Sequence, residues 1–140
     1  EQQLLNNIRW LVSFLPQNNL SQPPFIPPTD DASRETGRLE EIVPLEPQKP
    51  YDIHDVIQEI VDNGEFLEIQ EHYAQNIVIG LARMDGHPVG IVANQPLILA
   101  GVIDINSSDK AARFIRFCDA FHIPLLTLID TPGFLPGVDQ

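Results

Sequence analysis

Proline is the feature that most restricts this chain. Eight of its 13 prolines fall in the first 50 residues, five of them between Pro16 and Pro28. Each proline locks φ at about −65° and withholds a backbone donor. Residues 16–50 hold too few periodic apolar residues to form a core, and the segment reads as an extended, partly polyproline connector. Before it, Leu4, Leu5, Ile8, Leu11, Val12 and Leu15 recur at helical spacing, and Pro16 ends the pattern. That helix finds nothing within its own segment to bury its apolar face. A helix with no preceding cap, followed by a long connector, is expected where a longer protein has been cut; the alternative is a helix that folds back onto the domain.

From Tyr51 onward the pattern is regular. Asp52 is a good N-cap for a helix carrying Ile53, Val56, Ile57, Ile60 and Val61 at i, i+3, i+4, i+7 and i+8, and Asn63-Gly64 stops it. A short strand is predicted over 66–69. Two β-branched strands over 77–84 and 89–93 flank Asp85-Gly86 and should form a hairpin. The oxygen-rich run 104–108 precedes a helix whose Phe114, Phe117, Cys118 and Phe121 form a buried stripe, with Asp109 and Arg113 as an i, i+4 pair. Residues 124–130 read as a strand apolar on both faces, of the kind buried inside an α/β sheet. With 140 residues, 43% of them hydrophobic, there is room for one core, and the element order favours an α/β layered domain.

Charge narrows the possible partners. Eight basic against 20 acidic residues leave a net charge of −12, which disfavours nonspecific binding to nucleic acid or an anionic membrane surface. The single cysteine, Cys118, excludes an internal disulfide framework and fits a reducing compartment. The longest apolar runs, such as 97–102, are far short of the roughly 20 residues that span a bilayer. A soluble intracellular protein is expected, one that uses no nucleic acid and does not insert directly into a membrane.

Three places could carry chemistry. The first is the loop Asp130-Thr131-Pro132-Gly133-Phe134-Leu135-Pro136-Gly137, which follows an apolar strand where open α/β sheets usually hold ligands, and whose glycines let backbone amides come close. The second is Asn94-Gln95-Pro96, whose amides could orient a ligand or cap a turn. The third, 104–109, superficially resembles a calcium loop but has Asp109 and Ile115 where that loop needs glycine and glutamate, so helix capping is the better reading. His54, His72, His87 and His122 are scattered without metal-ligand spacing, and no Gly-x-Ser-x-Gly elbow is present. The strand end 125–133 also matches the Asp-x-x-Gly element of P-loop GTPases. That reading requires Gly-x-x-x-x-Gly-Lys-Ser/Thr upstream, and neither lysine, Lys49 or Lys110, follows a glycine.

Several blocks in register carry a more specific resemblance. Ile42-Val43-Pro44, Lys49-Pro50-Tyr51-Asp52, 76–80, 89–96, 104–108, 110–114, 117–121 and Pro132-Gly133-Phe134-Leu135-Pro136-Gly137 together resemble the carboxyltransferase subunits of biotin-dependent acyl-CoA carboxylases. The segment 11–18, with its Leu-Pro-x-Asn ending, resembles the last helix of that family's N-terminal half. The resemblance implies a crotonase-like (ClpP/crotonase) spiral of ββα units, with 1–15 closing the N-terminal half, 16–50 as the interdomain linker and 51–140 beginning the C-terminal half. It covers roughly a quarter of a full subunit.

The implied reaction moves a carboxyl group between carboxybiotin and the α-carbon of a short-chain acyl-CoA, through enolates that fixed backbone N–H groups stabilise. The implied cofactors are biotin, carried on a partner domain, and an acyl-CoA substrate, with no metal. The implied partners are a biotin carboxyl carrier protein, a biotin carboxylase and further copies of the subunit, in the cytoplasm or, in a eukaryote, the mitochondrial matrix. In the family both oxyanion holes lie before residue 1 and after Gln140, so no catalytic residue is expected here and the chain alone should be inactive. Gly133, Phe134 and Gly137 are the leading candidates for a carboxybiotin pocket, with Asn94, Gln95 and Pro96 second. Thr131 and Val138-Asp139 depart from the commonest family pattern. A carboxylase or transcarboxylase subunit, the decarboxylase subunit of a sodium pump, and a noncatalytic relative all remain open.

Overall fold

The computed structural model describes residues 1–31, 33–46 and 49–137. In chain order its elements are helices α1 (Gln2–Phe14), α2 (Leu39–Ile42) and α3 (Ile53–Ile60), strands β1 (Leu67–Ile69), β2 (Ile77–Met84) and β3 (His87–Asn94), helix α4 (Ile105–Ala120) and strand β4 (Leu125–Leu128). Side-chain alternation makes the β2–β3 pair the centre. Ile77, Ile79 and Leu81 on β2 and Val92 on β3 turn to one face, where they meet Phe14, Phe114, Cys118 and Ile123. Val78, Ala82, Val89, Ile91 and Ala93 turn to the other, against Ile53, Ile57 and Val61 of the α3 region. Both faces are thus covered, giving an α/β layered unit.

The sheet order is β1-β2-β3-β4, antiparallel across the first two pairs and parallel across the last. The expected hairpin forms with Met84 opposite His87, through Asp85 (φ 48°) and Gly86 (φ 76°), a type I′ arrangement. Its tip is held by the buried Asp62, whose carboxylate accepts from the backbone N–H of Asp85 (2.9 Å) and Gly86 (2.7 Å). Helix α4 lies so close to β3 that a Cβ at Gly90 would stand 2.6 Å from Cys118 Sγ and 3.0 Å from Leu125. Burial of that thiol pushes its pKa up to about 12. Buried Lys110 ties α4 to the segment before β2, donating to the carbonyls of Tyr73 (2.7 Å) and Ile77 (2.8 Å), and burial holds its pKa below the ordinary value.

Several expectations need correction. Residues 124–130 are not buried on both faces: β4 is the outermost strand, Leu125 is 40% exposed and Ile129 77%. An apolar strand is sealed only where neighbours cover it, and among the described residues no strand pairs with the far side of β4. The apolar stripe of α1 splits. Phe14, with Trp10, Leu11 and Leu15 beside it, packs onto the core, and Arg83 holds the helix end by donating to the Ser13 carbonyl (2.7 Å) with its guanidinium 4.2 Å above the Phe14 ring. Leu4, Leu5, Ile8 and Val12 face outward.

The connector has no core and is not extended throughout, since one helical turn, α2, forms between Pro28 and Pro44 where no proline interrupts the backbone donors, yet it is well anchored. Ile26 N–H donates to the Gly86 carbonyl (3.0 Å), Thr29 bonds Asn63 (2.6 Å), and Arg34 pairs with Asp30 (2.7 Å) and reaches the Val61 carbonyl (2.7 Å). On α4, Phe114 and Cys118 are buried while Phe117 and Phe121 are half-exposed at the margin. Asp109 and Arg113 form no ion pair; both line an open surface groove, where hydration competes with so weak a pair.

Candidate functional site

The expected ligand loop follows β4, and its backbone path is set by partners from elsewhere. Asn94, at the end of β3, accepts from Asp130 N–H at Oδ1 (3.3 Å) and donates from Nδ2 to the Gly101 carbonyl (3.1 Å), so one amide spans the loop and the turn at Leu99–Gly101. Further on, Ile103 N–H donates to the Gly133 carbonyl (3.0 Å) and Leu135 N–H to the Ile103 carbonyl (2.8 Å), an isolated parallel bridge. Gly133 adopts φ 136°, and its N–H donates to Thr131 Oγ1 (3.1 Å). The loop is therefore pinned at both ends.

Between its first residues and the connector runs a cleft of about 620 Å³. Asp130, Thr131 and Pro132 form one wall; Val43, Pro44, Glu46, Lys49, Pro50 and Tyr51 form the other; Pro96 and Ala100 close it. Tyr51 OH donates to Asp130 Oδ2 (2.9 Å) across the space. Burial, then the bond to Asp130, pushes the Tyr51 pKa up to about 12, so the phenol keeps its proton and acts as a donor at neutral pH. The other hydroxyl in the lining, that of Thr131, donates to the Gly133 carbonyl (3.2 Å).

Behind the cleft lies a second polar cluster. Gln95 is buried: its Oε1 accepts from Ile53 N–H (3.2 Å) and its Nε2 donates to Asp52 Oδ1 (2.8 Å). Asp52 caps α3 by accepting from His54 N–H (2.9 Å). The His54 ring spans two carboxylates, Asp52 (2.6 Å at Nδ1) and Glu68 (2.8 Å at Nε2). Burial pulls the His54 pKa down, but the hydrogen bonds and charges of the two carboxylates outweigh it and leave it raised. Burial pushes Asp52 up, and the bonds from Gln95 and His54 outweigh that and leave it lowered.

The residues singled out from sequence thus separate. Asn94 and Gln95 do not line the cleft as expected; their amides are engaged inside the protein, because a buried carboxamide must find partners there for both its carbonyl and its NH2 group. Pro96 does line it. Gly133 lies beyond the cleft with open space around its Cα, Phe134 is 76% exposed on the outer side of the loop, and Gly137 is exposed. Val138-Asp139 lie outside the described residues. The 104–109 run is a helix cap: Asp104 and Ser107 form a reciprocal capping box at 2.8 Å each way, and among the described residues no three His, Cys, Asp or Glu side chains are arranged to hold a metal ion. The residues missed were Tyr51, Lys49 and the proline wall of the connector. Periodicity could not reveal them, although Tyr51 stood in the Lys49-Pro50-Tyr51-Asp52 block that carried the resemblance.

Comparison with known proteins places this geometry in context. A family model described as the carboxyl transferase domain matches residues 1–140. The propionyl-CoA carboxylase carboxyltransferase subunit of Haloferax mediterranei is 59% identical over the whole chain, which spans 27% of that relative. The methylmalonyl-CoA decarboxylase subunit alpha of Veillonella parvula is 51% identical, again over the whole chain and 28% of the relative. Among solved structures, transcarboxylase 12S, described as a hexamer with hydrolysed methylmalonyl-coenzyme A bound, superposes with a TM-score of 0.90 at 52% identity over 96% of this chain and 26% of the other. The chain therefore spans about a quarter of the length of the relatives it matches, and its α/β unit has the crotonase-like fold of these carboxyltransferases.

Proposed function

Because this chain belongs to the carboxyl transferase domain family, we propose that its full-length protein moves a carboxyl group between carboxybiotin and a short-chain acyl-CoA. On this reading residues 1–15 close the first crotonase-like half, 16–50 link the halves and 51–140 open the second. Carboxybiotin, held by Tyr51, Pro96, Asp130 and Pro132, would supply the carboxyl group and take up the acyl α-proton in exchange. On this reading the charge-stabilising N–H groups belong to parts of the full-length protein outside this chain. The observation that carries the reading is 59% identity, sustained over all 140 residues, to a propionyl-CoA carboxylase carboxyltransferase subunit.

This chain's own residues have three tasks in that scheme. Asn94 sets the backbone of Asp130, Tyr51 sets its carboxylate, and the prolines of the connector and of the 130–137 loop make rigid walls. The cleft's size and its proline and tyrosine walls suit a fused-ring group such as biotin, and Asp130, Tyr51, Pro96 and Pro132 would hold it. Gly133, Phe134 and Gly137 would then border the entrance, where a carrier domain must approach. A biotin carboxyl carrier protein, a biotin carboxylase and further copies of the subunit are the proposed partners; the solved hexamer of transcarboxylase 12S supports self-assembly. The cytoplasm, or the mitochondrial matrix of a eukaryote, is the proposed compartment.

A second reading, the decarboxylase subunit of a biotin-dependent sodium pump, is favoured by the 51% identity to methylmalonyl-CoA decarboxylase alpha. The test is to purify the full-length protein and measure carboxyl transfer from methylmalonyl-CoA or malonyl-CoA to free biotin. Transfer is expected, and its absence with both donors would overturn the proposal. The 140-residue chain alone should show none.

A further inference from the structure

Behind the cleft, a single imidazole gathers side chains from the start of α3, from β1 and from the end of β3. His54 lies between Asp52 (2.6 Å at Nδ1) and Glu68 of β1 (2.8 Å at Nε2), with the Phe66 ring beside it. Gln95, which follows β3, reaches the same place: its Nε2 stands 2.8 Å from Asp52 Oδ1 and 3.3 Å from His54 Nδ1. Asp52 Oδ1 also accepts from the His54 backbone N–H (2.9 Å), so three donors converge on one oxygen. The charged groups acting on the ring are Asp52 at the start of its own helix and Glu68 on β1, and buried Lys110 of α4 acts on Glu68 in turn. The cluster is tied to the cleft through the backbone. Tyr51 and Pro96, which line the cleft, are the immediate chain neighbours of Asp52 and Gln95.

A ring protonated on both nitrogens satisfies this geometry, donating to a carboxylate on each side. A neutral ring does not, because one nitrogen must become an acceptor, and either nitrogen faces a carboxylate at hydrogen-bonding distance. The two tautomers are not equivalent. If Nε2 gives up its proton, Glu68 loses its one hydrogen bond among the described residues. If Nδ1 does, the Gln95 amide is already within reach to donate to it, so this tautomer is preferred. We propose that His54 is a proton-sensitive latch on the wall of the cleft. Protonated, it clamps Asp52 and Glu68 together. Neutral, it draws the Gln95 NH2 group from Asp52 to Nδ1, and Asp52, now facing a lone pair, turns away and releases the start of α3 together with Tyr51. His54 is thus a positioning residue, and the latch opens as pH rises. Burial pulls the ring's pKa down, but the bonds and charges of the two carboxylates outweigh it, so opening falls above the ordinary 6.5. The latch acts on the cleft whatever that cleft binds, and it stands apart from the carboxyl-transfer reading.

The experiment uses full-length protein, with hydrogen exchange followed by mass spectrometry from about pH 6 to about pH 9 and corrected for the intrinsic pH dependence of amide exchange. The segment 51–57 holds the Ile53 and His54 N–H groups that Gln95 and Asp52 accept. Its corrected exchange should rise by about fivefold or more across that range, the change expected when one hydrogen bond is lost, while α4 stays as it was. Hydroxyl-radical footprinting should show the Tyr51 side chain becoming more accessible over the same interval. His54→Gln cannot change its charge and should abolish both responses. Glu68→Gln removes one of the carboxylates that favour the charged ring, so the midpoint should move to lower pH, a shift that a merely structural histidine would not produce. That second variant keeps the test decisive if His54→Gln fails to fold. Flat exchange in the wild type, a rise shared equally by α4, a Tyr51 footprint indifferent to pH, a response retained in His54→Gln, or an unmoved midpoint in Glu68→Gln would each overturn the inference.

Discussion

Strands β3 and β4 lie side by side, run in the same direction and are comparably apolar, yet one is sealed and the other open. Val89, Ile91, Val92 and Ala93 are buried, with α3 on one face, α4 on the other and a partner strand at each edge. Leu125 and Ile129 are exposed at the margin of the same sheet. The difference teaches that the residues of a strand set its affinity for a core, while its neighbours set whether that affinity is met. It also separates structure from site: the sealed strand ends in amides that are internally satisfied, and the open strand ends in the cleft.

The contrast can be broken or sharpened by measurement. Ile91→Ala should cost about 3 kcal/mol in urea unfolding of this chain, because it empties a wholly buried position between two packed layers. A loss below about 1 kcal/mol would mean that β3 is not the centre of the core. Asp62→Ala should cost about 2 kcal/mol by leaving two hairpin N–H groups without their acceptor, and amide exchange at Asp85 and Gly86 should accelerate. Unchanged protection there would refute the anchor.

The His54 cluster should make stability depend on pH in two directions. Its raised pKa contributes stability that is complete below the ordinary 6.5 and is lost as pH rises through the folded value. The lowered Asp52 pKa contributes stability present above the ordinary 3.8 and lost as pH falls through its folded value. His54→Gln should therefore flatten the decline of urea midpoint above about pH 6.5 while leaving the acid limb largely in place; an unaltered profile would remove the bridge from the account. Ile129→Ala, at an exposed position, should change stability by less than about 0.5 kcal/mol. A cost comparable with that of Ile91→Ala would show the chain just past β4 to be as covered as β3.

Local chemistry was legible wherever it completes itself over a few residues. Asp52 as the cap of α3, Asp85-Gly86 as the hairpin turn and Asp104 with Ser107 as a capping box all appear where the sequence signals stood. Each needs only neighbours within about four positions. Asn94 and Gln95 were ambiguous for the opposite reason. An amide reads the same whether it faces a ligand or a distant backbone, and their partners Gly101, Asp130, Ile53 and Asp52 lie up to 43 positions away. The candidate site was half legible. Asp130 and Thr131 stood in the motif, but Tyr51 and the connector prolines enter only because the chain doubles back across the carboxyl end of the sheet.

The sequence by itself did not show the short helix α2 inside the connector, but it determined most of the element types, the turn and caps and, through blocks in register, the family. Those follow from periodicity and from backbone geometry that each residue imposes on its immediate surroundings. Only the tertiary structure decided which apolar strand is covered, which face of α1 is used, that His54 joins two carboxylates and that a connector forms one wall of the cleft. These are contacts between residues tens of positions apart. Their energy depends on what stands opposite, and that is known only once the layers have packed.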